Sequence, residues 1–226
     1  MRNLLQRDHL TVKLQGSAGQ SLGAFAAPGL RLEVSGDAND YVAKGLSGGT
    51  VVVRPPMASP LVAEDNVIIG NTVLYGATDG YLFAAGRAGE RFAVRNSGAK
   101  VVVEGCGSNG CEYMTGGVAV ILGRIGANFG AGMTGGMAYL YDPEDTARTM
   151  MNHETLVTVP VSDGHYLSEL ETLLERHLEE TGSRKAAAIL QHWDEKKHKF
   201  LQVVPKEMLG KLDVPVGGLD DAIPAE

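Results

Sequence analysis

The fold of this chain is decided by the segment GYLFAAGRAGERFAVRNSGAKVVVEGCGSNGCEYMTGGVAVILGRIGANFGAGMTGGMAYLY, residues 80–141. Four glycines head its short runs of β-forming residues at intervals of 18, 18 and 19 residues: Gly80, Gly98, Gly116 and Gly135. Three more precede the last three of these by nine residues: Gly89, Gly107 and Gly126. A repeat this short cannot bury an apolar face alone, so it must stack on its neighbours. The sequence therefore predicts a solenoid.

The same pattern of short apolar runs and glycines extends over residues 10–141 without an intervening helical segment, which indicates an all-β structure. Each run, such as TVLYG at residues 72–76, is predicted to be a short strand. Only one Asn-Gly dipeptide occurs, at Asn109–Gly110, so hairpins are few. A repeat of about 18 residues fits one coil of a parallel β-helix, with three short strands and three corners. We expect glycine at the corners because it adopts positive φ without strain. Residues 55–66 interrupt the repeat and are predicted to be a loop.

The composition changes after Tyr141, and we divide the chain into a β-helix domain, residues 1–150, and a C-terminal extension, residues 151–226. Residues 155–161 are predicted to form one last strand. Apolar residues at helical spacing then predict a helix that ends at Gly182: Tyr166, Leu170, Leu173, Leu174 and Leu178. Ser183 is expected to cap a second helix, after which no regular element is assigned. We expect both helices to pack along the solenoid or to cover one of its ends.

Charge and hydropathy exclude several classes of partner. The net charge of −7 and the absence of a basic stripe argue against nucleic acid. No segment approaches the roughly 20 apolar residues that span a bilayer, and the N-terminal sequence is unlike a signal peptide. We therefore expect a cytoplasmic protein with no membrane partner. A homo-oligomer remains open, because the solenoid could associate through exposed apolar surface.

One motif has the form of a nucleotide site. Residues 105–110, GCGSNG, match G-x-G-x-x-G directly after a predicted strand. In a dinucleotide-binding fold the next element must be a helix, whose N-terminus holds the pyrophosphate. The following residues, 111–123, instead indicate a corner and a strand. We interpret the motif as part of the solenoid.

No other group of residues predicts a catalytic, cofactor or metal site. Cys106 and Cys111 are too few for structural zinc and are interpreted as small buried apolar residues. The six histidines are scattered and form no triad with a serine or cysteine, and His177 either faces water or pairs with a glutamate of its own helix. Asp37 and Asp40 are interpreted as caps of backbone amides in a turn. The expected site residues are thus none.

Long stretches of this chain resemble one family, the C-terminal GXGXG domain of the glutamate synthase large subunit. The stretches that carry the resemblance are residues 16–25, 36–56, 66–105, 110–142 and, in the helical tail, 169–208. The resemblance implies a right-handed parallel β-helix. It also implies an enzyme that makes two glutamates from glutamine and 2-oxoglutarate, with ammonia passing from an amidotransferase domain to an FMN domain bearing a 3Fe-4S cluster.

In that family, neither the amidotransferase nucleophile, the flavin site nor the cluster cysteines lie in the β-helix domain. The resemblance therefore implies a scaffold that is itself non-catalytic and contains no cofactor. FMN and 3Fe-4S are expected in the partner domains, which are joined to it in cis or in trans. The alternative is a GXGXG subunit of another oxidoreductase, similar to N-methylglutamate synthase or formylmethanofuran dehydrogenase. Such subunits are not expected to have this helical tail.

Overall fold

The computed structural model describes residues 5–219. Eleven strands lie within that range: β1 (Leu10–Ser17), β2 (Leu30–Asp37), β3 (Ser47–Arg54), β4 (Val67–Ile69), β5 (Asp79–Ala84), β6 (Arg87–Ala88), β7 (Ser97–Val103), β8 (Thr115–Ile121), β9 (Gly135–Tyr141), β10 (Leu156–Pro160) and β11 (Phe200–Pro205). Nine of them form one sheet in the order β1-β2-β3-β5-β7-β8-β9-β11-β10, and β4 pairs with β6. The helices are α1 (Gly164–Thr181), α2 (Arg184–Leu190) and α3 (Trp193–Lys196). None of these helices is long and apolar enough to cross a membrane.

The first seven strands of the large sheet are parallel, and each belongs to one coil of a β-solenoid. Tyr81 pairs with Lys100, Lys100 with Val118 and Val118 with Met137, so the register advances by 18 or 19 residues per coil. The step from Thr50 to Tyr81 is longer, because residues 55–66 form the predicted loop, with one 3₁₀ turn. The parallel β-helix predicted from the glycine spacing is confirmed.

Each coil contains one long strand, whereas the sequence predicted three short ones. Besides the large sheet, the described residues form only the two-stranded pair of β4 and β6. The other sides of the coil are mainly turns. The strand-like segment TVLYG, residues 72–76, is one such turn, because Thr72, Leu74 and Gly76 have φ of 58°, 61° and 67°. Its β-branched and aromatic residues suggested a strand, but their backbone alternates in and out of the left-handed region.

The same alternation recurs in six coils, where three residues at i, i+2 and i+4 are left-handed: Ser21, Gly23 and Phe25; Tyr41, Ala43 and Gly45; Thr72, Leu74 and Gly76; Arg91, Ala93 and Arg95; Asn109, Cys111 and Tyr113; and Asn128, Gly130 and Gly132. Backbone hydrogen bonds join these turns from coil to coil. The N–H of Arg91 donates to Ser108 O of the next coil at 2.9 Å, and that of Ala93 donates to Val73 O of the preceding coil at 3.0 Å. Inter-coil bonds thus replace a sheet on this side.

The anchor glycines serve a different purpose from the one predicted. A Cβ on Gly98, Gly116 or Gly135 would overlap a carbonyl oxygen of the preceding coil, yet none of the three has positive φ. Among the four anchors only Gly80 does, at +107°. A second column, Gly70, Gly89, Gly107 and Gly126, is also too crowded for a side chain, since a Cβ on Gly107 would lie 2.9 Å from the carbonyl carbon of Gly89. Most of these eight glycines therefore permit close stacking of coils. Elsewhere the prediction is confirmed, because seventeen described glycines, Gly80 among them, have positive φ.

The large sheet has an apolar core on each face. The inner core fills the solenoid with small and β-branched side chains such as Val101, Val103 and Ile121. The outer core contains Phe83, Val102, Val120 and Tyr139 from the strands, and α1 and α2 cover it. The helices therefore pack along the solenoid, as predicted. Gly182 at φ 69° ends α1, and Ser183 Oγ accepts from the N–H of Ala186 to cap α2, also as predicted.

The C-terminal end of the solenoid is covered by the chain itself. Strand β11 pairs antiparallel with β9, and β10 pairs antiparallel with β11. On the turn side, the N–H of Phe129 donates to Met150 O at 3.0 Å and the N–H of Asn152 donates to Phe129 O at 2.9 Å. Strand β10 was predicted, whereas β11 was missed because it forms a strand only against the free edge of β9.

Candidate functional site

The G-x-G-x-x-G motif at residues 105–110 follows β7 and enters a turn, with no helix before β8. Other coils of the solenoid already contact the glycines of this motif. The N–H of Gly107 donates to Gly89 O at 2.9 Å, and the ring of Phe129 lies 2.8 Å from where a Cβ of Gly110 would be. The backbone amide that a phosphate would need from Gly107 is thus already used between coils. The motif is a solenoid turn.

Both cysteines are buried and free, with no disulfide between them. Burial raises the pKa of the Cys106 thiol to about 12 and that of Cys111 well above its usual value. Because only the thiolate attacks an electrophile, these two residues are poor nucleophiles. Within residues 5–219 no group of three or more His, Cys, Asp or Glu side chains is placed to hold a metal ion.

A buried polar cluster lies where the helices meet the solenoid, and sequence reasoning missed it. Glu104 directly follows β7, His177 lies on α1, and Ser183 lies between α1 and α2; all three side chains are at most 2% exposed. Ser183 Oγ donates to Glu104 Oε1 and accepts the N–H of Ala186 at 3.0 Å. His177 Nε2 lies 3.7 Å from the same carboxylate oxygen. His177 therefore neither faces water nor pairs within its own helix, because its acidic neighbour belongs to the solenoid.

These three residue types also form hydrolytic triads, but their arrangement differs here. In a triad the serine hydroxyl donates to a histidine nitrogen, and the acid orients that histidine. Here the hydroxyl of Ser183 donates to Glu104 instead, and neither ring nitrogen of His177 has a hydrogen-bond partner among the described residues. Ser183 is also committed to capping α2. The cluster joins the helices to the solenoid, and its geometry does not support nucleophilic catalysis.

A second set of contacts fixes α1 along the length of the outer face. Glu180, near its C-terminal end, forms an ion pair with Arg31 of β2. Eleven residues earlier, Glu169 accepts from Lys100 Nζ of β7 at 2.7 Å and from the Tyr139 hydroxyl of β9 at 3.1 Å. Burial and the neighbouring Glu169 carboxylate raise the pKa of Tyr139, which keeps its hydroxyl protonated as a donor. One helix therefore links strands β2, β7 and β9.

Helix α1 also contacts the outer face of the sheet through a cation–π stack. The guanidinium carbon of Arg176 on α1 lies 3.9 Å from the ring centroid of Tyr81 and 4.9 Å from that of Phe83. From the other direction Arg7 lies 4.2 Å from the Tyr81 ring centroid. The stack joins residues before β1, the middle of the sheet and α1. It restrains the helix and does not present a free ligand site.

Clefts lie beside the junction between the helices and the solenoid. One of about 450 Å³ lies between the 55–64 loop and the α1–α2 connection, and Glu104, Ser183 and Lys185 are among its lining residues. Lys185 Nζ pairs with Glu64 across it at 3.1 Å. A neighbouring cleft of about 330 Å³ shares Lys185 and Tyr141. Both clefts have mixed polarity, and the second contains Arg124 and Glu144, whose charged groups lie 3.9 Å apart.

The turn acids act on the backbone, as predicted for Asp40. Its Oδ1 accepts the N–H of Asn71 from the next coil at 2.8 Å, and Asn71 Oδ1 accepts the N–H of Glu90 in turn at 2.8 Å. Asp37, at the end of β2, instead accepts from the Ser17 hydroxyl. These polar side chains join successive coils. They do not form a pair of acids for proton transfer.

The fold defines the class of the protein: a parallel β-solenoid with helices packed on one face of its large sheet. Its coils stack closely at columns of glycines, and its turns are bonded from coil to coil. The family model described as "GXGXG motif" matches residues 1–206. The chain therefore belongs to the GXGXG family.

Its relatives include the glutamate synthase (NADPH) large chain of Azospirillum brasilense, 66% identical over 222 residues, with 98% of this chain and 15% of that protein covered. The glutamate synthase (NADH) of Schizosaccharomyces pombe is 50% identical, with 92% and 10% covered. Ferredoxin-dependent glutamate synthase 2 of Synechocystis is 52% identical, with 87% and 13% covered. The chain thus spans between a tenth and a sixth of the length of these relatives.

Proposed function

We propose that this chain is the scaffold region of a glutamate synthase and is itself non-catalytic. In this proposal it holds an amidotransferase domain, which releases ammonia from glutamine, at a fixed position relative to an FMN-binding synthase domain that uses the ammonia. FMN and a 3Fe-4S cluster belong to those partner domains. The observation that carries the proposal is the continuous bonding of the solenoid from coil to coil, because a part that positions two domains must be rigid.

The helical layer supports this role. Helix α1 contacts β2 through Glu180 and β7 and β9 through Glu169, so bending the sheet would break ion pairs at both ends of the helix. The buried cluster of Glu104, His177 and Ser183 fixes the α1–α2 corner at the same time. Because α1 is fixed along one face of the solenoid, the solenoid resists bending toward that face and away from it.

The helical layer also favours glutamate synthase over other proteins that contain glycine-repeat subunits. The similarity to the Azospirillum large chain extends over 222 residues and 98% of this chain, so it includes the helices and β11 as well as the solenoid. A subunit with the glycine repeat alone would match only the first part. The buried state of both cysteines and the commitment of Ser183 to a helix cap support a non-catalytic role.

Reconstitution tests the proposal. A glutamate synthase large chain that lacks its matching region is produced with and without this chain, and both glutamine hydrolysis and glutamine-dependent glutamate formation are measured. We expect this chain to bind the truncated enzyme and to restore glutamate formation coupled to hydrolysis. Glutaminase or flavin-dependent activity in this chain alone would contradict the proposal. So would full coupling in the truncated enzyme without it.

A further inference from the structure

The N-terminal segment, residues 5–9, lies in front of β1 and is held to the solenoid by its side chains. Its backbone bends at Asp8, whose φ of 57° is unfavourable for a residue with a side chain. Among the described residues, its one backbone hydrogen bond runs from the N–H of His9 to Gln6 O at 3.2 Å, inside the segment. The position of the N-terminal segment therefore depends on contacts made by its side chains.

Two charged side chains of the N-terminal segment contact the outer face of the sheet. The guanidinium carbon of Arg7 lies 4.2 Å from the ring centroid of Tyr81 on β5. A carboxylate oxygen of Asp8 lies 3.5 Å from a guanidinium nitrogen of Arg31 on β2. Tyr81 and Arg31 are thus the residues on which these two side chains rest.

Helix α1 contacts the same two residues. The guanidinium carbon of Arg176 lies 3.9 Å from the Tyr81 ring centroid, and Glu180 forms an ion pair with Arg31. Within α1, Arg176 Nε lies 3.6 Å from Glu180 Oε1. The contacts therefore close a ring that runs from the N-terminal segment through Tyr81 to α1 and back through Arg31.

This ring of contacts is partly buried. The side chains of Arg31, Arg176 and Glu180 are 14%, 20% and 11% exposed, and that of Asp8 is 28% exposed. Ion pairs in such surroundings are screened less by salt than pairs on an open surface. Arg7 and Arg176 repel each other across the Tyr81 ring, but a carboxylate accompanies each of them. Asp8 follows Arg7 in the chain, and Glu180 lies beside Arg176.

The two sets of contacts are coupled through the order of the shared side chains. Tyr81 and Arg31 lose rotamer freedom when α1 packs on them. The N-terminal segment then binds side chains that are already ordered, so its own binding costs less entropy. A coupling of this kind is reciprocal, so the N-terminal segment must also favour the docked position of α1.

We propose that the N-terminal segment and α1 form one cooperative unit, a relay across the outer face of the sheet. Displacing α1 releases the N-terminal segment, and pulling this segment from the sheet loosens the last turn of α1. The two parts are far apart in the sequence, so the relay links the chain in front of β1 with the helical layer. The inference concerns this chain alone and does not rest on the proposed function.

Proteolysis tests the first direction of the relay. Trypsin cuts after Arg7 only when the N-terminal segment leaves the sheet, so the rate of that cut reports the released fraction. The unchanged chain is compared with Arg176→Gln, which removes the α1 cation from Tyr81. The matched control is Arg184→Gln, an equal change at an exposed residue of α2. The fragment that begins at Asp8 is followed by mass spectrometry at early times.

We expect the cut after Arg7 to be at least about fivefold faster in Arg176→Gln and unchanged in the control. Loosening of the whole helix would also speed the cut, so amide exchange of Leu173, in the middle of α1, is measured in the same variants. Leu173 should keep its native rate, because Glu169 still joins α1 to β7 and β9. Equal cutting in the two variants would overturn the proposal, and so would a faster cut accompanied by fast exchange at Leu173.

Amide exchange tests the second direction. The variant with Arg7→Gln and Asp8→Asn lacks both charged contacts of the N-terminal segment, and its control is His9→Gln at an exposed position of the same segment. The readout is Gly182, whose N–H donates to Leu178 O at 2.8 Å at the end of α1. We expect exchange at Gly182 to be about fivefold faster in the double variant than in the control. Unchanged or slower exchange would overturn the proposal, because α1 would then not respond to the N-terminal segment.

Discussion

Within each coil, the anchor glycines and the left-handed residues occupy different positions. Gly98 and Gly135 have no positive φ, but a Cβ on either would overlap a carbonyl oxygen of the preceding coil. Arg95 and Tyr113 have φ of 53°, yet both carry long side chains that reach solvent. At these anchor positions glycine is thus required for the close approach of two backbones, whereas the left-handed turns accept non-glycine residues because bonds between coils stabilise them. The two sets of positions should therefore differ in how much a side chain costs: crowding limits substitution at the anchor glycines, whereas only backbone strain limits it in the left-handed turns.

The largest effect is expected for Gly98→Ala. The new methyl group would overlap the Thr78 carbonyl oxygen, which cannot move without breaking the bonds between coils. We expect a loss of about 3 kcal/mol in the free energy of unfolding, measured by denaturant titration. Gly164→Ala is the matched control, because a Cβ there meets nothing within 4 Å. Equal stability of the two variants would mean that the coils are not closely stacked.

A smaller loss is expected for Gly76→Ala. Gly76 has φ of +67° and open space around its Cα, so alanine would suffer only the strain of the left-handed conformation. That strain costs about 1 kcal/mol. Gly210→Ala, with open space and no positive φ, is the control in the same titration. A loss as large as that of Gly98→Ala would show that φ, rather than space, is what requires glycine in this fold.

The reverse substitution, Arg95→Gly, should stabilise the protein slightly. It removes the strain of a left-handed non-glycine residue, and this gain exceeds the entropic cost of glycine by about 0.5 kcal/mol. The substitution also removes the Arg95 guanidinium from the Tyr113 ring, but at 5.9 Å from the centroid this contact is at the limit of a cation–π interaction and adds little. The N–H bond from residue 95 to Glu112 O remains available. Arg124→Gly is the control, since Arg124 is exposed and lacks positive φ. A thermal midpoint for Arg95→Gly below that of Arg124→Gly would contradict this prediction.

The smallest effect is expected when the folded chain is treated with a thiol reagent, because neither cysteine should react. Cys111 occupies a middle left-handed position, Cys106 follows Gly105, and burial raises the pKa of both thiols. We expect no reaction with a thiol reagent at pH 8 in the folded chain, and two reactive thiols per chain after unfolding in denaturant. Rapid modification of the folded chain would show that this part of the solenoid opens readily.

The sequence predicted the parts of the fold that depend on spacing. Interval and composition together located β5, β7, β8 and β9, and the glycine and serine at residues 182 and 183 located the helix boundary. It failed for residues 72–76, because β-branched and aromatic residues are also compatible with a left-handed turn when inter-coil bonds hold it. It failed for β11, because a strand at 200–205 depends on the distant edge of β9.

The buried cluster of Glu104, His177 and Ser183 could not be predicted from the sequence for a similar reason. Glu104 and Ser183 are 79 residues apart, and nothing in the local pattern of either one predicts their contact. His177 occupies a position on the apolar face of α1 that could have drawn attention, since an ionisable residue on such a face needs a partner from elsewhere. The partner is a residue of the solenoid and becomes known only when α1 is placed on the outer face.

Amide hydrogen exchange of the native chain, followed residue by residue by NMR, tests the central claim that the coils are joined by continuous backbone bonds. The account predicts that Gly89 and Gly107, whose N–H groups donate to the preceding coil, exchange only through global unfolding. Gly19 and Gly23 of the first coil, whose N–H groups have no backbone acceptor within residues 5–219, should exchange fast. Fast exchange at Gly89 and Gly107 would contradict the account, because the solenoid would then lack the rigidity that a scaffold requires.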